Sequence, residues 1–287
     1  MSLEANPGTL DQAQLTGYRQ AGVNRLSLGI QSLNEHHLQL LGRIHSATEA
    51  RRAVDMARAA GFDNLSLDLM FALPGQTLET LQQDLEGLLA LQPQHLSLYG
   101  LTFEPGTALT DRLRRGELAE IDEQGYIDSY LLLNRQLSAA GFEHYEISNF
   151  ARPGYRCRHN QAYWQRRTCL ALGCGGHSFL ADGWGERWHV PADLPAYRQK
   201  LLSGEPASEL LETFDHRTAM AETAYLALRT ADGIARSGFK QRFGIFPEKA
   251  FSAAFLRHPT KLLRVDDCWR LDLQSWLLYD HLIRSFL

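Results

Sequence analysis

Apolar and polar positions along the first 150 residues recur with periods that predict strands and helices in turn. A buried strand is predicted over residues 65–69, where apolar residues dominate after a glycine-containing turn. A helix over 78–91 follows, because leucines recur there at spacings of three and four. The same criteria predict further strands up to residue 5 and over 23–31, 95–99 and 143–147, and further helices up to residue 21 and over 46–60 and 123–140. This alternation is typical of an α/β fold with a parallel sheet, either open or closed into a barrel.

The pattern changes after about residue 180, where short helices and a hairpin replace the alternation. Helices are predicted over 192–202, 218–228, 237–243 and 248–256, and a small hairpin over 262–265 and 269–271. We therefore expect two domains, residues 1–185 and residues 186–287.

Four successive predicted strands carry a polar residue or a glycine near their carboxyl ends. These are Glu4, Gln31, Asp68 and the pair Tyr99 and Gly100, and Arg43 follows soon after the second strand. Parallel strands bring their carboxyl ends to one edge of the sheet, where ligands bind in α/β folds. Carboxylates bind ribose hydroxyls and arginine binds carboxylates, so the set predicts a ligand that carries both groups. The alternative is that each residue caps a helix or forms an ion pair.

Composition and charge exclude some classes of function. The net charge is −4 and the isoelectric point is near 6.3, so no overall field attracts nucleic acid. No apolar run is long enough to span a bilayer, and no signal segment opens the chain. The four cysteines do not indicate a disulfide framework, and we expect a reducing cytoplasm.

A second candidate site lies in residues 156–164, where His159 stands among arginines and aromatic residues. A histidine can be an axial haem ligand, with basic groups near the propionates and aromatic rings beside the macrocycle. Cys157 and His177 are competing candidates for the iron ligand. The alternative is a polar loop with an aromatic anchor.

Several ordered motifs resemble one known family. They are EANPGT (4–9), GVNRLSLGIQS (22–32), LGRIHS (41–46), SLDLMFALPGQT (66–77), HLSLYGLTFEPGT (95–107), HYEISNFARPGYRCRHNQAYW (144–164) and LGCGGHSF (172–179). The family is the oxygen-independent coproporphyrinogen III oxidases among the radical S-adenosylmethionine (SAM) proteins, and the HemW-type haem chaperones resemble this chain more than the oxidases do. The resemblance implies a partial radical SAM (β/α) barrel over 1–185 and a HemN-type, winged-helix-like domain over 186–287, for which we expect no nucleic-acid partner.

The resemblance also implies roles for individual residues. The residues that match SAM contacts are Glu4, Gln31, Arg43, Asp68 and Gly100. His159 falls in a motif, HNxxYW, that is associated with haem binding in HemW-like proteins. Residues 172–179 resemble a glycine-rich segment of the family, with Cys174 and Gly176 in place of more usual residues.

One motif of the family has no counterpart in this sequence. Radical SAM proteins hold a 4Fe–4S cluster with a C-x3-C-x2-C loop, whereas the cysteines here are spaced C-x11-C and C-x4-C before a long gap. We therefore expect no metal site from these cysteines and no catalysis by the chain as given. An N-terminally truncated product with an exposed sheet edge, prone to aggregate or form oligomers, is the simplest explanation, and a cluster-free descendant is the alternative.

The expected function is that of a HemW-like haem chaperone, which binds haem and transfers it to an apo-haemoprotein, including a membrane-associated one. The alternative is an oxygen-independent coproporphyrinogen III oxidase, which decarboxylates its substrate with a SAM-derived radical in porphyrin biosynthesis. A third class is a non-catalytic binder of haem or another tetrapyrrole.

Overall fold

Six strands of the N-terminal half form one sheet with helices between them. The structure, a computed structural model, describes residues 1–287 and divides into two units, Met1–Arg156 and Cys157–Leu287. The strands of the first unit are β1 (Ser2–Ala5), β2 (Arg25–Gln31), β3 (Leu65–Phe71), β4 (His95–Gly100), β5 (Glu143–Glu146) and β6 (Asn149–Ala151). Its helices are α1 (Gln12–Gln20), α2 (Glu35–Leu40), α3 (Ala47–Ala59), α4 (Leu78–Ala90), α5 (Ala108–Arg114) and α6 (Glu123–Ala139), with a 3-10 turn over Pro7–Thr9.

The first four strands are parallel and adjacent, in the order β1-β2-β3-β4. This confirms the predicted α/β fold, and the predicted strands and long helices are found with small shifts at their ends. Leu28, Leu67 and Leu96 are neighbours across three strands and are fully buried. The helices between these strands begin where the sequence supplies caps: Asp11 and Thr77 each accept a hydrogen bond from the backbone three residues on.

The far side of the sheet differs from the predicted parallel alternation. β6 was not predicted; it pairs antiparallel with β4, and β5 pairs antiparallel with β6. Only two residues, 147 and 148, join β5 to β6, and so short a connection can form a hairpin but not a parallel crossover.

β3 is two residues longer than predicted. Met70 and Phe71 continue the ladder by pairing with Tyr99 and Gly100 of β4. Asp68 is therefore the fourth of seven strand residues and not close to the carboxyl end. The strand ends where Ala72 adopts a positive φ of 58°, at the start of the turn that leads to α4.

The second unit contains two small antiparallel sheets and short helices. Its strands are β7 (His177–Leu180), β8 (Glu186–His189), β9 (Glu209–Thr213), β10 (Ile234–Ala235), β11 (Leu262–Val265) and β12 (Cys268–Leu271). Its helices are α7 (Arg158–Trp164), α8 (Leu194–Ser203), α9 (His216–Leu228), α10 (Arg236–Phe243), α11 (Pro247–Ala250), α12 (Ser252–Arg257), α13 (Leu273–Trp276) and α14 (Tyr279–Ile283). The sheets have the orders β7-β8-β9 and β10-β12-β11.

One helix of this unit differs from the sequence expectation. The helix predicted over 248–256 is two helices, α11 and α12, which separate at Phe251, where φ is −116° and ψ is 39°. The hairpin predicted near the end of the chain is confirmed as β11 and β12. The predicted domain boundary between residues 185 and 186 falls within the hairpin of β7 and β8. The division into domains 1–185 and 186–287 stays a prediction. No helix of the chain combines the length and the apolar character that crossing a bilayer requires.

Candidate functional site

A polar face runs across the sheet of the first unit. The tripeptide Leu-Ser-Leu occurs in β2, β3 and β4, with Ser27, Ser66 and Ser97 between buried leucines. Successive side chains of a strand point to opposite faces, so the serines lie on one face and the leucines lie on the other. Asp68 lies on the polar face, directly opposite Ser97 in the ladder. The apolar face builds the core. On the polar face the three serines are buried, whereas Asp68 is half-buried and Glu4 is exposed.

Asp68 is half-buried on this polar face. The Ser27 hydroxyl donates a hydrogen bond to Asp68 Oδ1 at 3.3 Å. Burial raises the pKa of the Asp68 carboxyl to about 6, and the charge of Glu4 contributes to the rise. Hydrogen bonds from Ser27 and Ser97 oppose this rise in pKa without cancelling it. Asp68 therefore titrates near neutral pH and can accept or donate a hydrogen bond there.

Glu4 of β1 interacts electrostatically with Asp68. It pairs with Ser27 across the ladder and is exposed. Because its charge raises the pKa of Asp68, the two carboxyl groups are close enough to interact. Two neighbouring carboxyl groups on one face favour a ligand that donates hydrogen bonds to both, such as a vicinal diol.

Gln31 ends β2 in a conformation that redirects its side chain. Its φ is +69°, and the ladder with β3 shifts register between Leu28 and Gln31. The Gln31 Oε1 atom is buried and has no hydrogen-bond partner. The side chain packs closely against Gly29, because a Cβ there would lie 3.1 Å from Gln31 Nε2. A buried amide oxygen without a partner is uncommon in folded proteins, and a ligand donor would satisfy it.

Arg43 lies against the same glycine. Its Nη2 donates to the Gly29 carbonyl oxygen at 2.9 Å and to Asn6 Oδ1. A Cβ at Gly29 would lie 3.3 Å from Asn6 Oδ1 and 3.4 Å from Arg43 Nη2. Asn6, Gln31 and Arg43 therefore surround one small space. A guanidinium has five N–H donors, so Arg43 keeps donors for an anionic group after making these bonds.

Gly100 ends β4, and its neighbour is an aromatic ring. A Cβ at Gly100 would lie 2.5 Å from Cε2 and 2.7 Å from the hydroxyl oxygen of Tyr126. The Tyr126 ring, which also packs against Phe71 with ring centroids 5.1 Å apart, requires glycine at this position. The role of Gly100 beside an adenine stays a prediction.

The structure thus brings four of the five residues that match SAM contacts into two groups. Glu4 is close to Asp68, and Gln31 and Arg43 share the space at Gly29. Sequence analysis did not select Asn6, Ser27 or Ser97, which complete these two groups. The repeated Leu-Ser-Leu triplet was the signal for the two serines, because a polar residue between apolar ones marks the second face of a strand.

A buried hydrogen-bond chain lies deeper on the polar face. His95 Nδ1 lies 2.8 Å from Ser66 Oγ, and His95 Nε2 lies 2.8 Å from the Tyr145 hydroxyl. Burial, together with the charge of Arg25, lowers the pKa of His95 to about 3, so the ring is neutral at physiological pH. One nitrogen of the neutral ring donates a hydrogen bond and the other accepts one. Each neighbouring hydroxyl can take the matching role, because a hydroxyl can both donate and accept.

The haem candidate His159 is the second residue of α7, in the second unit, and is exposed. Its ring makes an edge contact with Tyr163, with centroids 4.8 Å apart. Trp164 ends the helix, and the guanidinium of Arg229 lies over its ring at 4.8 Å. A basic group and two aromatic residues therefore lie on or beside the same short helix as His159.

The competing iron ligands have different surroundings. Cys157 is buried, and its Sγ donates to Asn160 Oδ1 at 3.3 Å. His177 is exposed, and its Nδ1 lies 3.2 Å from the Gly175 carbonyl oxygen. No cysteine forms a disulfide, and no group of three or more His, Cys, Asp or Glu side chains could hold a metal ion.

Comparison with known proteins shows the family of this chain. Residues 1–88 match the model of the radical SAM superfamily. The heme chaperone HemW of Bacillus subtilis (strain 168) is 32% identical over 280 residues, which cover 91% of this chain and 73% of that protein. The heme chaperone HemW of Haemophilus influenzae is 43% identical over 190 residues, which cover 65% of this chain and 48% of that protein. The chain thus spans about half to about three quarters of the length of these relatives.

A solved structure shows the fold independently. Coproporphyrinogen III oxidase (HemN) from Escherichia coli, described as a radical SAM enzyme, matches 99% of this chain and 69% of that chain with a TM-score of 0.83. The sequence identity is 20%, so this likeness concerns the fold alone. SAM and a 4Fe–4S cluster are the cofactors that the radical SAM family implies. The identity to curated relatives and the shared fold lead to one conclusion: the chain belongs to the HemW-type family of radical SAM proteins.

Proposed function

We propose that the protein to which this chain belongs is a haem chaperone, which binds haem and passes it to an apo-haemoprotein. The observation that carries the proposal is the exposed imidazole of His159 beside Tyr163, in a chain 32% identical to a protein named heme chaperone HemW. An imidazole nitrogen facing solvent can bind haem iron without breaking the fold. The acceptor, which can be soluble or membrane-associated, is an apo-haemoprotein by the same proposal.

The surroundings of α7 support a haem ligand more than a simple surface helix. The exposed ring of Tyr163 offers flat apolar surface for the macrocycle. Arg158 and Arg229 supply guanidinium groups, which bind the carboxylates of haem propionates. His159 is the iron ligand in this arrangement.

Haem titration followed by absorption spectroscopy tests the proposal. We expect stoichiometric haem binding with a Soret band typical of histidine ligation, and a shifted band with weaker binding in His159→Ala. His281→Ala is a matched control, because His281 is also exposed and lies in the same unit. Cys157→Ser tests the thiolate alternative. An unchanged spectrum in His159→Ala would remove His159 as the ligand, and no binding by the wild-type chain would remove the function.

We propose further that the strand-end residues of the first unit hold SAM. Glu4 and Asp68 would accept hydrogen bonds from the ribose hydroxyls, and Arg43 would bind the carboxylate. Gln31 would satisfy its buried Oε1 with a ligand donor, and Gly100 would line the adenine side. The unpartnered oxygen of Gln31 and the close approach of the Gln31, Asn6 and Arg43 side chains around Gly29 support this assignment.

The residues of this chain do not fit a 4Fe–4S cluster, in contrast to the set of residues that we propose for SAM. SAM yields a radical only when a cluster gives it an electron. No group of three or more suitable ligand side chains exists among residues 1–287. We therefore assign no residue of this chain to the cluster and no reaction step to the bound SAM.

Equilibrium dialysis with labelled SAM tests the first-unit site. We expect Arg43→Lys to weaken binding, since an ammonium cannot make the paired hydrogen bonds of a guanidinium. Arg52→Lys is the control, because Arg52 is an exposed arginine on α3. Equal affinity in both variants would remove Arg43 from the site.

The oxidase alternative stays a prediction. Decarboxylation of coproporphyrinogen III in the presence of SAM and a reductant would favour it over the chaperone. We propose a cytoplasmic location, where the four free thiols would stay reduced.

A further inference from the structure

Two histidines lie directly opposite each other on neighbouring strands of the second unit. His177 of β7 pairs with His189 of β8 in the antiparallel ladder. The adjacent Val190 N–H donates to the Gly176 carbonyl oxygen at 2.8 Å, so the histidines occupy the position next to a hydrogen-bonded pair. Side chains at such non-hydrogen-bonded positions are the closest cross-strand neighbours in a sheet. The two rings are accordingly 5.8 Å apart between centroids, with their planes inclined by 28°.

The hydrogen bonding of the pair leaves nitrogen lone pairs uncommitted. His177 Nδ1 lies 3.2 Å from the Gly175 carbonyl oxygen, which can only accept, so Nδ1 carries the proton. The Nε2 lone pair of the neutral ring is then free and the ring is exposed. A backbone carbonyl that fixes the tautomer in this way is the usual partner of a metal-bound histidine. His189 Nδ1 is buried and has no hydrogen-bond partner in the protein.

We propose that His177 and His189 chelate a divalent transition-metal ion of the Zn²⁺, Ni²⁺ and Cu²⁺ class. Imidazole nitrogens are preferred ligands for these ions. A tetrahedral ion about 2.0–2.1 Å from each nitrogen would place the ring centres about 5 Å apart. The observed spacing is 5.8 Å with the rings stacked, so chelation would require both side chains to rotate until one nitrogen of each ring points at the ion. The inference does not rest on the haem-chaperone proposal.

The next residue in the same row is acidic. Glu209 of β9 lies directly opposite His189, so the three side chains fall on one face of the small sheet. The Glu209 carboxylate is exposed and pairs with Lys200 Nζ at 3.1 Å. No three-residue metal group exists in the structure, so water completes the coordination and Glu209 adds negative charge near the ion.

Haem iron does not suit the same pair. In haem the pyrrole nitrogens occupy the plane around the iron, and the two axial positions lie on opposite sides of the macrocycle. Directly opposed cross-strand residues are too close for a macrocycle to lie between them. His177 and His189 can therefore bind one ion in cis but cannot bind one haem together.

Titration calorimetry with Ni²⁺ alone, and separately with Zn²⁺ alone, tests the site in the full chain. We expect one site per chain, and roughly 100-fold weaker binding in His177→Ala and in His189→Ala, since each variant loses the chelate effect. His36→Ala is the matched control: His36 and His37 have centroids 5.9 Å apart but are adjacent on a helix, where neighbours do not face each other. His177 is exposed, so its replacement tests the site without a risk to folding.

Two further measurements distinguish the histidine pair from a thiolate site and from a haem site. Cys174 lies three residues before His177, and its Sγ donates to the Pro191 carbonyl oxygen at 3.2 Å. Loss of the site in Cys174→Ser with full binding in His177→Ala would overturn the proposal in favour of a thiolate site.

A haem titration of His177→Ala gives the last comparison: a changed Soret band with unchanged Ni²⁺ binding would assign His177 to haem instead. Equal Ni²⁺ affinity in the wild type and in both histidine variants would also overturn it.

Discussion

Replacing Asp68 by asparagine removes a carboxyl group whose pKa is raised from its ordinary 3.8 to about 6. Burial is the main cause, and the negative charge of Glu4 adds to it. Between pH 3.8 and about 6 the folded chain therefore holds this proton more tightly than the unfolded chain does. The stability that protonation supplies is complete below pH 3.8 and is lost as the pH rises through about 6.

The magnitude follows from the size of the shift. A rise of about two units corresponds to about 3 kcal/mol, at 1.36 kcal/mol for each unit. Asp68 is only half-buried, and solvent reduces the effect, so we expect Asp68→Asn to stabilise the chain by about 1–3 kcal/mol at pH 7.5. The amide keeps an oxygen that accepts from the Ser27 hydroxyl. The gain in stability should shrink to a small fraction of this value at pH 4.

Urea unfolding at several pH values between 4 and 8 measures this difference. All five tryptophans, Trp164, Trp184, Trp188, Trp269 and Trp276, lie in the second unit, so their fluorescence reports that unit, and far-UV circular dichroism reports both. We expect the stabilisation in the circular dichroism transition and not in the fluorescence. Asp55→Asn is the control, because Asp55 is an exposed carboxylate on α3. A constant difference between wild type and Asp68→Asn at every pH would refute the reasoning.

Three further substitutions test other parts of the structure. Glu222→Ala should destabilise the second unit by about 3–5 kcal/mol, because it leaves the buried Arg166 guanidinium without its partner; tryptophan fluorescence in urea measures the loss. Gly233→Ala should unfold that unit, because φ is +68° and a Cβ would overlap the Trp269 carbonyl; a lost cooperative transition is the expected result. Gly29→Ala should weaken SAM binding in equilibrium dialysis with little change in stability, since its Cβ would push aside the ends of the flexible Gln31 and Arg43 side chains; unchanged affinity would contradict the SAM site.

The strands and long helices of the first unit were predictable because each has a strong local signal. The helix α4 has leucines at helical spacing and a Thr77 cap, and β3 is a short apolar run after a turn. β6 has no such signal, because three residues are too few to show a period. Its place between β4 and β5 depends on long-range pairing. Local pattern therefore predicted the elements, and it did not predict the order of the last two strands.

The candidate site was predictable in its residues and not in its geometry. Glu4, Gln31, Arg43 and Asp68 were selected by position and by family resemblance. The positive φ of Gln31 could not be predicted, because glutamine rarely adopts it and the register shift in the ladder imposes it. The central position of Asp68 depends on how far β3 and β4 stay paired, which is a tertiary property.

The polar face of the sheet contains polar groups of two kinds. Groups of the first kind have all their hydrogen-bond partners within the protein, and groups of the second kind lack a partner or carry a raised pKa. His95 has a partner at each ring nitrogen, so the chain from Ser66 to Tyr145 is complete within the protein. Gln31 Oε1, by contrast, is buried without a partner, and Asp68 carries a raised pKa despite its hydroxyl neighbours. Satisfied buried polar groups specify a fold, whereas unsatisfied ones cost free energy that a bound ligand can recover. The hydrogen-bond chain at His95 therefore fixes the relative positions of β3, β4 and β5, and the groups at Gln31 and Asp68 would interact with the ligand that we propose.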